Sequence, residues 1–119
     1  MILCCRDSEE FKEIVEWSQG LAVDALWLSV CKIYSCESYN DRKRIFLQVL
    51  AELLLEGRVF LASGDRLKGN VIEQIAAFDL AWPAEEEIDE AVFWIKKDGV
   101  SWVPGGLVWV YEDGTEVWT

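Results

Sequence analysis

The 119-residue sequence contains no histidine. Histidine is the side chain whose ordinary pKa suits proton transfer near neutral pH, so Ser–His and Cys–His catalytic pairs are excluded. The nucleotide-binding motifs G-x-x-x-x-G-K-[ST] and G-x-G-x-x-G do not occur either. We therefore expect a protein with no enzymatic activity and no cofactor. The enzymatic alternative is one that uses paired carboxylates together with a divalent metal ion such as Mg²⁺ or Mn²⁺.

The sequence also lacks a zinc-binding cysteine pattern and a membrane-spanning segment. Its four cysteines contain no C-x2-C pair and have no histidine to accompany them, which argues against a zinc site. The N-terminal MILCC has no basic region of the kind that opens a signal peptide, and no apolar run reaches 18 residues. We expect a soluble, reduced, cytoplasmic protein that binds no membrane, with buried structural thiols at Cys4, Cys5, Cys31 and Cys36.

Basic residues are scarce in the C-terminal part of the chain. The net charge is −11, and residues 70–119 contain eleven acidic residues but only two bases, Lys96 and Lys97. Such a field repels nucleic acid and attracts cationic surfaces, so we expect a protein partner with a basic surface and no nucleic acid. The alternative is that the acidity serves solubility alone.

The N-terminal half carries helical patterns. Asp7 and Glu10 form the D-x-x-E spacing of a capping box. The stretch 21–34 is apolar nearly all round and predicts a central core helix. Strong helix formers over 41–56, followed by Gly57, predict another helix with a glycine end.

The remainder predicts an antiparallel sheet and a further helix. Apolar residues recur with helical spacing from Val71 to Trp82, whereas 107–111 is apolar on both faces and precedes a D-G hairpin turn. Residues 91–95 could extend a helix or form a strand, and their β-propensity favours the strand. The predicted elements are a helical part over about 7–57, a strand at 58–62, a helix at 71–82, a short acidic helix at 84–90 and a β-meander at 91–118. The expected fold class is α+β in one domain (1–119), with N-terminal helices packed on a small antiparallel sheet formed mainly by the C-terminal third.

The segment AWPAEEEIDEAVFW (81–94) places five carboxylates within six positions. The glutamates that follow Pro83 are typical of a helix start, where each stabilises the helix dipole by about 0.3–1 kcal/mol. That role does not extend to Asp89 and Glu90, and like charges four residues apart are mildly destabilising. Neighbouring carboxylates on one exposed turn usually diverge into water, so we expect the run to face a positively charged partner rather than to form an active site.

Seven tryptophans are many for this length. Trp17 and Trp27 lie in predicted helices, where core packing is the expectation. Tryptophan beside charged side chains is typical of interface hot spots, and Trp94 and Trp102 are our candidate anchors.

Three stretches carry a family resemblance: LLLEGRVFLASGDRLKGNVIEQIAAFDLAWP, EEEIDEAVFW and PGGLVWVYEDGTEVWT. Together, over about residues 50–119, they resemble an uncharacterised bacterial family catalogued as domain of unknown function 596. The resemblance implies a small acidic protein of the kind that accompanies polymorphic toxins, such as the immunity proteins of contact-dependent growth inhibition systems.

We therefore expect an immunity protein that binds and neutralises a cognate toxin domain, for example a nuclease, as a monomer or weak dimer. The alternative is a non-catalytic interaction module, such as a secretion chaperone or structural dimer. The expected partner-binding residues are Glu85, Glu86, Glu87, Asp89, Glu90, Trp94, Trp102, Glu112, Asp113 and Glu116.

Overall fold

A computed structural model describes residues 8–88 and 93–119, in which four helices pack on one antiparallel sheet. The helices are α1 (Glu9–Ser18), α2 (Val23–Ile33), α3 (Tyr39–Leu55) and α4 (Val71–Ala81). The strands are β1 (Val59–Ser63), β2 (Asp65–Arg66), β3 (Gly106–Val110) and β4 (Glu116–Trp118), in the spatial order β2-β1-β3-β4. The predicted α+β fold, with its sheet formed by the C-terminal part of the chain, is confirmed.

Local capping chemistry sets the helix ends. Asn70 and Glu73 form the reciprocal capping box that begins α4. Ser38 caps α3 by accepting from the Asp41 amide, and Gly57 follows the helix with φ of +71°. At α1 the capping side chain is Ser8, which accepts from the Phe11 amide at 3.1 Å. The expected capping box with Glu10 is therefore wrong, because the helix starts one residue later; Asp7 lies outside the described residues.

One face of the sheet and the inner sides of the helices enclose the core. Val59, Leu61, Leu107 and Trp109 point from the sheet towards the helices. A cluster of aromatic rings continues this core between α2, α3 and α4 and the loop beyond, and its members are Trp27, Phe46, Phe78, Trp82, Phe93 and Trp102. The core prediction holds for Trp27 and is wrong for Trp17, which is 41% exposed with the Lys32 ammonium 4.6 Å from its ring centroid.

The segment between α4 and β3 is less regular than predicted. In the described part of the helix predicted over 84–90, Glu85–Glu87 form a single 3₁₀ turn, and residues 89 and 90 lie outside the described residues. The meander predicted from residue 91 begins outside the described residues, at 91 and 92. Residues 93–101 form turns with isolated bridges, Ile88 to Lys96 and Ile95 to Ser101, instead of continuous strands. Phe93 and Trp102 both turn into the aromatic core, so tertiary packing outweighs β-propensity in this segment.

Within the described residues, no helix combines the length and the apolar character needed to cross a bilayer.

Candidate docking surfaces

The first acidic group stands on the 3₁₀ turn after α4. Glu85, Glu86 and Glu87 are exposed, and we call them the turn carboxylates. A Glu87 side-chain oxygen accepts from the Ala84 amide at 3.3 Å, so part of this run does serve a helix start. The backbone carbonyl of Glu87 accepts from the Lys97 amide at 2.8 Å, which fixes the turn against the following loop.

The two acids that the helix-start account left unexplained, Asp89 and Glu90, lie outside the described residues. The aromatic pair that follows them is described. Phe93 is buried and stacks on Trp27, whereas the neighbouring Trp94 is 38% exposed. Trp94 therefore remains available as a contact residue beside the acidic run.

The second candidate anchor, Trp102, is not at the surface. Its side chain is 7% exposed and its indole nitrogen donates to the Phe93 carbonyl at 2.6 Å. The ring also packs against Phe78 and Trp82. Trp102 holds the loop onto the core, and we remove it from the set of partner-binding residues.

The second acidic group surrounds the turn of the β3–β4 hairpin. Glu112, Asp113 and Glu116 are exposed, and we call them the hairpin carboxylates. Asp113 accepts from the Thr115 amide at 2.9 Å. This backbone hydrogen bond lowers the pKa of the Asp113 carboxyl below its usual value, because it stabilises the charged form.

The structure does not bring the two carboxylate groups together. Beside the turn carboxylates, the Tyr39 hydroxyl in the first turn of α3 donates to the Pro83 carbonyl at 3.1 Å. At the other end of α3, the Arg58 carbonyl accepts from the Val110 amide at 2.9 Å, next to the hairpin turn. A helix of 17 residues is about 25 Å long. The carboxylates expected to form one surface therefore form two, at opposite ends of α3.

The salt bridges of the described residues join lysines to acids that belong to neither carboxylate group. Salt bridges join Lys43 to Asp79 at 2.7 Å and Lys96 to Asp98 at 3.8 Å. The first of these joins the start of α3 to α4. Within residues 8–88 and 93–119, no salt bridge involves a turn or hairpin carboxylate. Lys43 lines the same pocket as Glu85 and Glu86, and Arg58 lines the same pocket as Glu112 and Asp113, but neither base forms an ion pair with these acids.

Sequence reasoning missed Trp118 as a surface residue. Its side chain is 54% exposed, and its indole nitrogen donates to Glu116 at 3.3 Å. The ring lies edge-on to Phe60, 5.6 Å between centroids, on the sheet face that points away from the helices. The alternation of side chains along a strand places Glu116 and Trp118 on one face, and that signal was present in the sequence.

No group of three His, Cys, Asp or Glu side chains in the described part of the chain could hold a metal ion.

The chain is similar to known proteins both in sequence and in fold. The family model described as "Protein of unknown function, DUF596" matches residues 54–119. This match covers more than half of the chain, so the chain belongs to that family. A solved structure from Neisseria meningitidis, described as an uncharacterised protein conserved in bacteria, aligns with a TM-score of 0.71. It is 23% identical, with 92% of this chain and 87% of that chain covered, and it supports the fold alone. No curated protein matches the chain.

Proposed function

We propose that this member of the DUF596 family is an immunity protein of the cytoplasm. It binds a cognate toxin domain with a basic surface, such as a nuclease of a contact-dependent growth inhibition system, and neutralises it. In this proposal the protein acts by binding and performs no chemistry of its own. The immunity role itself comes from the family resemblance, and the surface charge supports it independently.

The observation that carries the proposal is the exposure of the turn and hairpin carboxylates without salt bridges to them. All six side chains are exposed, and none of them forms a salt bridge in the described part of the chain. Like charges held together repel one another and lower the stability of the free protein. A basic partner would remove that repulsion, and charge complementarity can raise association rates by about 10 to 1,000-fold.

Exposed aromatic rings supply the other half of an interface. Trp94 follows the acidic run of the loop, and Trp118 contacts a hairpin carboxylate. Charged rims mainly govern how fast partners meet, while desolvated aromatic contacts slow dissociation. Each acidic group therefore has a candidate anchor close to it in the chain.

A growth-protection assay tests the proposal. The C-terminal domain encoded by the gene immediately upstream is expressed in a host together with wild-type or variant protein. Two triple variants neutralise one group each: Glu85→Gln with Glu86→Gln and Glu87→Gln, and Glu112→Gln with Asp113→Asn and Glu116→Gln. We expect wild type to protect and at least one triple variant to fail.

A matched control removes the same charge elsewhere. Glu9, Glu10 and Glu13 are exposed on α1, and their triple replacement by glutamine should protect like wild type. Failure of wild type to protect would remove the immunity function. Full protection by both acidic-surface variants would leave immunity standing and reject the electrostatic mechanism.

The outer face of α4 favours a second candidate, a structural dimer or chaperone-like interaction module. Ile72 is 80% exposed and Leu80 is 89% exposed, with the small Ala76 midway between them on the same face. Large apolar side chains left in water at helical spacing are typical of an interaction surface. Sedimentation of wild type beside Ile72→Ser/Leu80→Ser separates the two candidates, since a dimer that the double variant abolishes would favour this one.

A further inference from the structure

The outer face of the sheet carries a small apolar cluster of its own. Phe60, Ala62 and Val108 are buried there, separately from the main core, and Val110 packs against them. Trp118 forms the exposed border of this cluster on β4. Next to it stands Glu116, so the face ends in an indole and a carboxylate that contact each other.

The backbone of β4 offers hydrogen-bonding groups on the side away from β3. The Tyr111 amide donates to the Thr115 carbonyl at 2.9 Å and the Thr119 amide donates to the Leu107 carbonyl at 3.2 Å. Hydrogen-bonded pairs alternate along an antiparallel ladder, so Glu116 and Trp118 occupy the non-bonded positions. Their N–H and C=O groups therefore point outward from the edge.

The hydrogen bonds between β3 and β1 follow the same alternation. The Val110 amide donates to the Arg58 carbonyl at 2.9 Å, which directs Val110 towards β1 and away from its β4 partner Glu116. In the described part of the chain, β4 is the terminal strand of the sheet. An exposed edge with outward amides and carbonyls is a template for another strand.

We propose that an extended, basic segment of the toxin docks on β4 as a fifth strand. Main-chain hydrogen bonds to Glu116 and Trp118 fix its register, and its alternate side chains lie over the outer face of the sheet. This inference rests on the proposed function and narrows it, because it chooses the hairpin end of α3 over the turn carboxylates.

The side-chain chemistry of the edge favours arginine in that segment. A guanidinium can stack on an indole face and pair with a carboxylate at the same time, and Trp118 holds Glu116 beside its ring. The same face of the sheet already contains a cation–π contact, with the Arg66 guanidinium carbon 4.6 Å from the Phe60 ring centroid. The Asp113 and Glu112 carboxylates extend the negative field past the end of the strand.

Two substitutions at one position separate backbone pairing from charge. Glu116→Gln removes the carboxylate and keeps the amide, whereas Glu116→Pro removes both the carboxylate and the outward N–H. Proline is tolerated on an edge strand where the N–H faces solvent, and that amide is not used in the ladder to β3. Circular dichroism and urea denaturation of each free variant first establish that it is folded.

Affinity is then measured by titration calorimetry with the C-terminal domain encoded upstream. Glu116→Pro should bind about two- to tenfold more weakly than Glu116→Gln, because the partner loses a backbone hydrogen bond. Trp118→Ala should also weaken binding, while Trp17→Ala, which removes a half-exposed tryptophan from α1, should not. Equal affinities for the proline and glutamine variants would overturn strand addition.

Hydrogen–deuterium exchange gives a readout that does not depend on substitution. The Glu116 and Trp118 amides should exchange quickly in the free protein and become protected in the complex. Unchanged exchange in a complex that does form would reject the inference and leave the proposed function intact. No complex with wild-type protein would reject the proposed function itself.

Discussion

The indole nitrogen of Trp82 donates a hydrogen bond to the hydroxyl of Tyr39, 2.8 Å away. Tyr39 in turn donates to the Pro83 carbonyl at 3.1 Å. One side chain at the start of α3 thus holds the end of α4 and the chain that leads to the turn carboxylates. Burial raises the pKa of the Tyr39 phenol, so the hydroxyl keeps its proton throughout the physiological range.

Replacing Tyr39 by phenylalanine should lower the free energy of unfolding by about 1–3 kcal/mol, because the partly buried indole N–H and the carbonyl both lose their partner. Urea denaturation measures the change. Tyr111→Phe is the matched control, since the Tyr111 hydroxyl has no hydrogen bond in the described part of the chain. Equal stability of the two variants would show that the Tyr39 link contributes nothing.

Trp102 and Trp118 should differ strongly when each is changed to alanine. Trp102 lies in the aromatic core, so its removal should cost about 3–5 kcal/mol through lost burial and a residual cavity. Trp118 is more than half exposed, and its removal should cost about 1–1.5 kcal/mol. Thermal unfolding of both variants checks the order, and a larger loss for Trp118→Ala would contradict the core assignment.

The two described thiols should react at different rates. Cys36 is exposed, so the expectation that it is a buried thiol is wrong; Cys4 and Cys5 lie outside the described residues. Partial burial raises the pKa of the Cys31 thiol, and the nearby Arg42 only partly offsets this effect. In a Cys4→Ser/Cys5→Ser background at pH 8, iodoacetamide should label Cys36 well before Cys31, because the thiolate is the reacting species. Mass spectrometry over time distinguishes the sites, and faster labelling of Cys31 would refute the prediction.

The raised pKa of Cys31 also makes the stability of the protein depend on pH. The folded-state pKa lies above the ordinary value of 9.0, so the unfolded chain loses this proton first as the pH rises. The contribution of Cys31 to stability is therefore constant below about pH 8 and declines above pH 9. Urea denaturation between pH 7 and pH 10 should show a steeper decline for this protein than for Cys31→Ala.

Association with the toxin domain should depend on salt. Raising NaCl from 50 to 500 mM should slow the association rate by about tenfold, since mobile ions screen the field of the acidic groups. The dissociation rate should change much less. Stopped-flow kinetics test this, and the hairpin triple variant should show a shallower salt dependence than wild type. A salt-independent wild-type rate would argue against electrostatic steering.

Apolar periodicity predicted the main helices and the fold class, whereas the capping box at α1 and the short acidic helix were wrong. The apolar stripe from Val71 to Trp82 predicted α4, and the D-G turn predicted the hairpin. These signals are local, because a cap or a hairpin turn depends on residues within a few positions of one another. For the same reason, they gave no information about which ends of the helices would meet.

Side-chain depth in the loop before β3 was not predictable in this way. Phe93 and Trp94 are adjacent and both have large aromatic side chains. Phe93 is buried and stacks on Trp27, whereas Trp94 is partly exposed to solvent. Trp102 packs among core rings, and the Phe93 carbonyl accepts the hydrogen bond that its buried indole nitrogen requires. Such partners come from tertiary contacts, which the sequence pattern does not encode. These contacts explain why Trp102 is a core residue and not the expected interface anchor.

Titration calorimetry of the wild-type protein with the C-terminal domain encoded immediately upstream tests the central claim most directly. The account predicts a one-to-one complex with a dissociation constant of about 1 μM or tighter, which corresponds to at least about 8 kcal/mol of binding free energy. Absence of a complex when both proteins are folded and present at about 100 μM, roughly a hundredfold above that constant, would contradict it.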